Sequence, residues 1–136
     1  MPEERQARGL LDTSVVIDLD RLDPLRLPVE LAISAVTLAE LAAGPHATDD
    51  PDERSRRQDR LQRAESAFDP LPFDHEAARA YGRIYAAVAA AGRKARGARA
   101  VDLLIAAAAL AAGLPLVTRN GADFQPVRHL VDVIVV

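Results

Sequence analysis

Short apolar segments alternate along this chain with stretches of helical length, and that alternation limits the folds open to it. Gly9-Leu10-Leu11 runs directly into Asp12, and Ala32-Ile33-Ser34-Ala35-Val36 precedes Thr37-Leu38-Ala39-Glu40. Leu114 to Thr118 follows a long alanine-rich stretch, and Val131 to Val136 is a last run rich in valine. The segments between them place apolar residues at helical spacing. A strand returning to a parallel neighbour needs a crossover, most often a helix. The expectation is an α/β domain of three layers, a central and mostly parallel sheet with helices on both faces. Sites in such sheets form at the carboxyl ends of strands, beside the helix that follows.

The local reading is as follows from the residues. Thr13 and Ser14 offer cap chemistry for a helix through Val15 to Leu19. Thr37 to Glu40 is a T-x-x-E capping box that opens a second helix, closed by Gly44-Pro45. Asp49 to Ser66 predicts an exposed helix, and Leu71-Pro72-Phe73 a short strand. Asp74 caps a helix to about Ala91, with Tyr81, Ile84, Tyr85 and Val88 as its buried stripe. An apolar helix from Ala100 to Ala112 opens at Asp102 and stops at Gly113, and Arg119 to Pro126 is a polar connection.

With 136 residues and 49% hydrophobic positions the chain fills one domain, residues 1–136, behind a polar leader over residues 1–8. The absence of cysteine excludes a disulfide framework, a thiolate metal site and a cysteine nucleophile. It also points to the cytoplasm. No apolar run approaches the ~20 residues of a membrane span. A net charge of −3 and 4% aromatic content disfavour a broadly basic nucleic-acid surface and an aromatic stacking platform.

The acids carry the chemistry. Asp12 ends the first strand, Glu40 follows the second, Asp102 lies at the start of the apolar helix, and Asp123 follows the Leu114–Thr118 strand. If those strands are neighbours, four carboxylates meet at one sheet edge and raise one another's pKa. A divalent cation relieves that repulsion, and all-oxygen ligands favour Mg²⁺, with Mn²⁺ as substitute, over Zn²⁺. Such an ion activates water and stabilises charge on a phosphate, which suits phosphodiester hydrolysis. Each acid also has a plainer reading. Glu40 fits a capping box, Asp102 can complement the helix dipole, and Asp12 can serve as an N-cap.

Four ordered motifs add a resemblance. Leu10-Leu11-Asp12-Thr13-Ser14-Val15-Val16-Ile17-Asp18, Val36-Thr37-Leu38-Ala39-Glu40-Leu41, Asp102-Leu103-Leu104-Ile105-Ala106-Ala107-Ala108-Ala109 and Leu116-Val117-Thr118-Arg119-Asn120-Gly121-Ala122-Asp123-Phe124 together resemble the PIN-domain proteins. Size and motif spacing resemble the VapC toxins of bacterial type II toxin–antitoxin modules, and the likeness spans essentially the whole chain. The resemblance implies a Mg²⁺-dependent endoribonuclease that cuts a structured RNA, a tRNA or rRNA, and so inhibits translation. It implies a homodimer and a VapB-type antitoxin that holds the enzyme inactive. Asp12, Glu40, Asp102 and Asp123 would be the acidic quartet, with Asp12 and Asp102 the principal metal ligands. Thr118 would orient the site, and Thr13 or Ser14 would do so beside Asp12. Some relatives have an acid where Asn120 stands, so either Asn120 or Asp123 completes the fourth position.

Arg93, Lys94, Arg96 and Arg99 form a basic loop ahead of Asp102, suited to RNA phosphates or to simple solvation. The Arg54 to Arg63 run mixes with acids and reads as an exposed helix face, with antitoxin contact as its alternative. Asp18, Asp20 and Asp23 lack the glycine and terminal glutamate of a calcium loop. His46 and His75 are isolated. Two other functions compete: a catalytically silent scaffold of the same fold, and a receiver-like phosphoacceptor. The second needs a lysine at a late strand end, whereas the single lysine, Lys94, lies in the basic loop.

Overall fold

Strand β1 (Arg8–Leu11) is apolar on both faces because it lies inside the sheet: Leu10 and Leu11 point to opposite sides and both are fully buried. The computed structural model describes residues 5–95 and 97–136. Within them β1 pairs in parallel with β2 (Glu30–Ala32) and β3 (Leu116–Thr118), and β3 with β4 (Val133–Val135), in the order β2-β1-β3-β4. Leu10 stands opposite Ala32 on one side and Leu116 on the other. The sheet is therefore entirely parallel among the described strands, as the strand–helix alternation requires.

The helices are α1 (Thr13–Ile17), α2 (Ala35–Ala43), α3 (Pro51–Ala67), α4 (His75–Ala90) and α5 (Ala98–Ala112). One core lies between the sheet and α4–α5, where Leu10 and Leu116 meet Ile84, Val88, Leu103 and Ile105. The other joins Leu11, Val117 and Ile33 to Val15, Leu41 and Ala64 of α1, α2 and α3. The alanines of α5, buried from Ala106 to Ala109, let the helix pack closely against its neighbours. Gly9 shows how tight the inner strand is, since an added Cβ would stand 2.7 Å from Pro28 Cγ and 2.8 Å from Val117 Cγ2.

Several local expectations change. The second strand ends at Ala32, and Ser34, with extended backbone, caps α2 by accepting the Thr37 N–H at 3.1 Å. Thr37 thus lies inside the helix, and the box with Glu40 does not form. The Leu71–Phe73 strand reduces to one bridge between Leu71 and Ser34, since Pro72 has no N–H to extend it. The buried stripe of α4 is Ala77, Ala80, Ile84 and Val88, which leaves Tyr85 52% exposed. Helix α5 begins at Ala98, so Asp102 sits beyond its first turn. The connection after β3 is a 3-10 segment, Gly121–Val127, anchored by buried Phe124 and Val127.

The described part of the leader is tied down. Arg5 donates to the carbonyls of Leu27 and Pro24, and those of Gln6 and Ala7 accept from Val29 and Glu30. Among the described residues no helix is long and apolar enough to cross a membrane.

Candidate active site

Parallel pairing ends β1 and β3 side by side. The Asp12 N–H donates to the Val117 carbonyl at 2.8 Å, which sets Asp12 beside Thr118. Asp12 leaves the strand as the N-cap of α1, only 3% exposed, and a carboxylate so buried needs donors. Its Oδ2 accepts from Thr118 Oγ1 at 2.8 Å and Ser14 Oγ at 2.9 Å. Both hydroxyls are fixed in turn, Thr118 by the Asn120 N–H at 3.0 Å and Ser14 by the Arg119 N–H at 3.3 Å. Among the described residues Oδ1 accepts only the Thr13 N–H, at 2.9 Å. One carboxylate oxygen is saturated and the other keeps acceptor capacity.

Glu40 is brought to the same place by α2. Thr13 Oγ1 donates to Glu40 Oε1 at 2.5 Å and shares a 3.1 Å hydrogen bond with the fully buried Thr37 hydroxyl. Capping therefore does not account for Glu40; its hydrogen-bond partner among the described residues is a threonine from the turn after β1. Glu40 and Thr13 border a cleft of about 320 Å³ whose far wall carries Arg57 and Arg60 of α3. Thr37 is the residue the sequence reading assigned to another role. Its buried hydroxyl links the two motifs, and a serine three positions earlier was the available signal that the helix starts before it.

Asp102 shows that the acids converge. Its carboxyl is pushed up to about 6, first by burial and then by the negative charges of Asp12, Glu40 and Asp123, with Arg99 opposing them. Asp123 is one of the three acids whose charge bears on Asp102. Asn120 is exposed and contributes its backbone N–H to Thr118. Among the described residues no group of three or more acidic or histidine side chains is placed to hold a metal ion. A Mg²⁺ ion that keeps several waters needs only one or two carboxylates, and this all-oxygen, mutually repelling set fits such an ion.

The basic loop divides. Arg93 donates to the Ala122 carbonyl at 3.3 Å, at the edge of the acidic cleft, and Lys94 is exposed. Arg99 reaches Asp123, donating to its carbonyl at 3.2 Å with a 3.8 Å ion pair to Oδ1. Arg96 lies outside the described residues. Asp18 and Asp20 pair with Arg119 and Arg63, and Asp23 caps a 3-10 turn, so these acids have structural partners.

The family described as PIN domain matches residues 9–130, which span all four acidic motifs. The chain belongs to the PIN-domain family. This PIN domain is 38% identical to Ribonuclease VapC5 of Mycobacterium tuberculosis over 117 residues, 84% of each protein. It is 37% identical to Ribonuclease VapC8 of the same organism, covering 80% of the chain and 96% of that protein. Its fold superposes on the crystal structure of the M. tuberculosis toxin–antitoxin complex VapBC-5 with a TM-score of 0.84 and 37% identity, covering 96% of this chain and 99% of that one.

Proposed function

We propose that this PIN domain is the ribonuclease toxin of a toxin–antitoxin pair, a Mg²⁺-dependent endoribonuclease acting on a structured RNA such as a tRNA or rRNA and thereby inhibiting translation. The observation that carries the reading is Asp102, raised first by burial and then by the negative charges of three acids carried by the end of β1, α2 and the segment after β3. A fold that served only as a scaffold has no need to crowd carboxylates in this way. The relatives named ribonucleases give the same direction.

Asp12 Oδ1, with its remaining lone pair, and Asp102 would hold the ion, with Glu40 and Asp123 completing the set. When bound, the ion supplies an activated water and countercharge for the phosphate. Thr118 and Ser14, donating to Asp12 Oδ2, hold that carboxylate in its orientation. Thr13 holds Glu40 toward the cleft. Arg93 and Lys94 at the rim would take flanking phosphates.

A VapB-type antitoxin is the partner, and the enzyme acts as a homodimer in the cytoplasm. A groove of about 400 Å³ between α1 and α3, lined by Ile17, Phe68, Arg60 and Arg63, would receive a partner segment whose end covers the acids. The deciding experiment is cleavage of total bacterial RNA by antitoxin-free protein with Mg²⁺ or EDTA, beside Asp12→Ala. Discrete fragments that disappear with EDTA and with the substitution are expected. Absence of cleavage in Mg²⁺ would leave the scaffold reading in its place.

A further inference from the structure

We propose that Arg99 is a positioning residue that holds the Asp123 segment against the acidic cleft, rather than a grip on RNA. The tether stands on geometry alone; only its purpose rests on the ribonuclease reading. Arg99 and Asp102 lie three apart on α5, so their side chains share a helix face. From there one guanidinium takes both handles of one residue: Nη1 donates to the Asp123 carbonyl at 3.2 Å, and Nη2 lies 3.8 Å from Oδ1. A planar fork suits that double grip, and a lysine ammonium does not reproduce it.

The segment needs such a hold. Gly121–Val127 is a 3-10 stretch interrupted by Pro126, a geometry with weaker internal hydrogen bonds than an α-helix. Phe124 and Val127 pin its inner side in the core. Among the described residues its polar contacts at the start of the segment are the Asp123 N–H to the Asn120 carbonyl, Arg93 to the Ala122 carbonyl, and the two contacts from Arg99. Arg99 alone among the described residues reaches both the backbone and the carboxylate of the acid itself. It is also the cation that offsets the three acids around Asp102.

The test uses the full chain without antitoxin, with Arg99→Ala, Arg99→Lys, Asp123→Ala and the Arg99→Ala/Asp123→Ala pair. Calorimetry with Mn²⁺ and no RNA should show about a tenfold weaker affinity for Arg99→Ala and partial recovery in Arg99→Lys. Adding Arg99→Ala to Asp123→Ala should weaken Mn²⁺ binding no further, because the carboxylate that the tether positions is already gone although the backbone carbonyl remains. Unchanged Mn²⁺ affinity, with a raised KM for RNA in both backgrounds, would make Arg99 an RNA contact and overturn the proposal. Hydrogen exchange in metal-free protein gives an independent reading. The amides of residues 121–127 should exchange faster in Arg99→Ala, and an unchanged pattern also overturns it. If the unaltered protein binds no Mn²⁺ while this exchange quickens, the ribonuclease reading falls and the tether survives.

Discussion

Asp12 is the residue on which the site turns, and its two oxygens have different work. Oδ2 is saturated by Thr118 and Ser14, whereas Oδ1, taken among the described residues by the Thr13 N–H, keeps acceptor capacity. Thr118→Val keeps the shape of the fully buried side chain but removes the hydroxyl, leaving the Asn120 N–H and Asp12 each short of a partner. The expected cost is about 1–3 kcal/mol in chemical denaturation and a 10- to 100-fold slower cleavage. Cleavage at the unaltered rate would remove Thr118 from the site's machinery. Asp102 gives a second prediction. Its folded pKa of about 6 lies above the ordinary 3.8, so between those values the folded protein keeps a proton that the unfolded chain has shed. Its contribution to stability is present at low pH, falls as pH rises, and is lost above about pH 6. In EDTA, Asp102→Asn should therefore raise the melting temperature at pH 7.5 and change it little at pH 4. Added Mg²⁺ should narrow the difference at pH 7.5 by stabilising the unaltered protein alone. An equal shift at both pH values would show that the Asp102 charge is not the cause.

At the scale of elements, Ser34 is the residue that aligns α2 with the site. It caps the helix through Thr37 and bridges Leu71, so it fixes the turn of α2 that carries Glu40. Ser34→Ala should cost about 0.5–2 kcal/mol, read as a shift in denaturation midpoint with unchanged slope. Far-ultraviolet dichroism should show the same fold, and a midpoint that stays in place would assign the capping elsewhere. This cap also marks where sequence reading stops. Thr118 was singled out by the family resemblance rather than by its own chemistry, whereas the strand–helix order was legible because apolar runs end abruptly at polar residues. The start of α2 was not, since Ser34 and Thr37 both carry cap chemistry and only backbone conformation separates them. Tyr85 was misplaced for a related reason. Tyrosine looks like a core residue at helical spacing, but in α4 the closely packed face is filled by Ala77 and Ala80 beside Ile84 and Val88. Arg99 could not have been separated from its basic neighbours by composition; three-dimensional proximity to Asp123 does that.

Across the whole molecule, the proposed function requires charge to reconcile an acidic centre with a polyanionic substrate. The chain carries a net charge of −3 with 17 basic residues, sixteen of them arginine, so attraction to RNA has to come from where the cations stand. Many are already paired: Arg56 and Arg57 with Glu53, Arg63 with Asp20, Arg119 with Asp18 and Arg99 with Asp123. Arg93 and Lys94 are exposed, and Arg93 touches the segment that carries Asp123. A strand crossing the acids would meet them next. Each phosphate neutralised on single-stranded nucleic acid contributes a slope of about −0.7 to the dependence of log affinity on log salt. In an Asp12→Ala background, which prevents cleavage, Arg93→Ala with Lys94→Ala should reduce that slope by roughly 1.4 if each holds one phosphate. Affinity should fall for every RNA tested, because backbone contacts carry no sequence information. An unchanged slope would make this rim a solvated surface and move the search for the RNA path to the cleft wall at Arg57 and Arg60, across from Glu40.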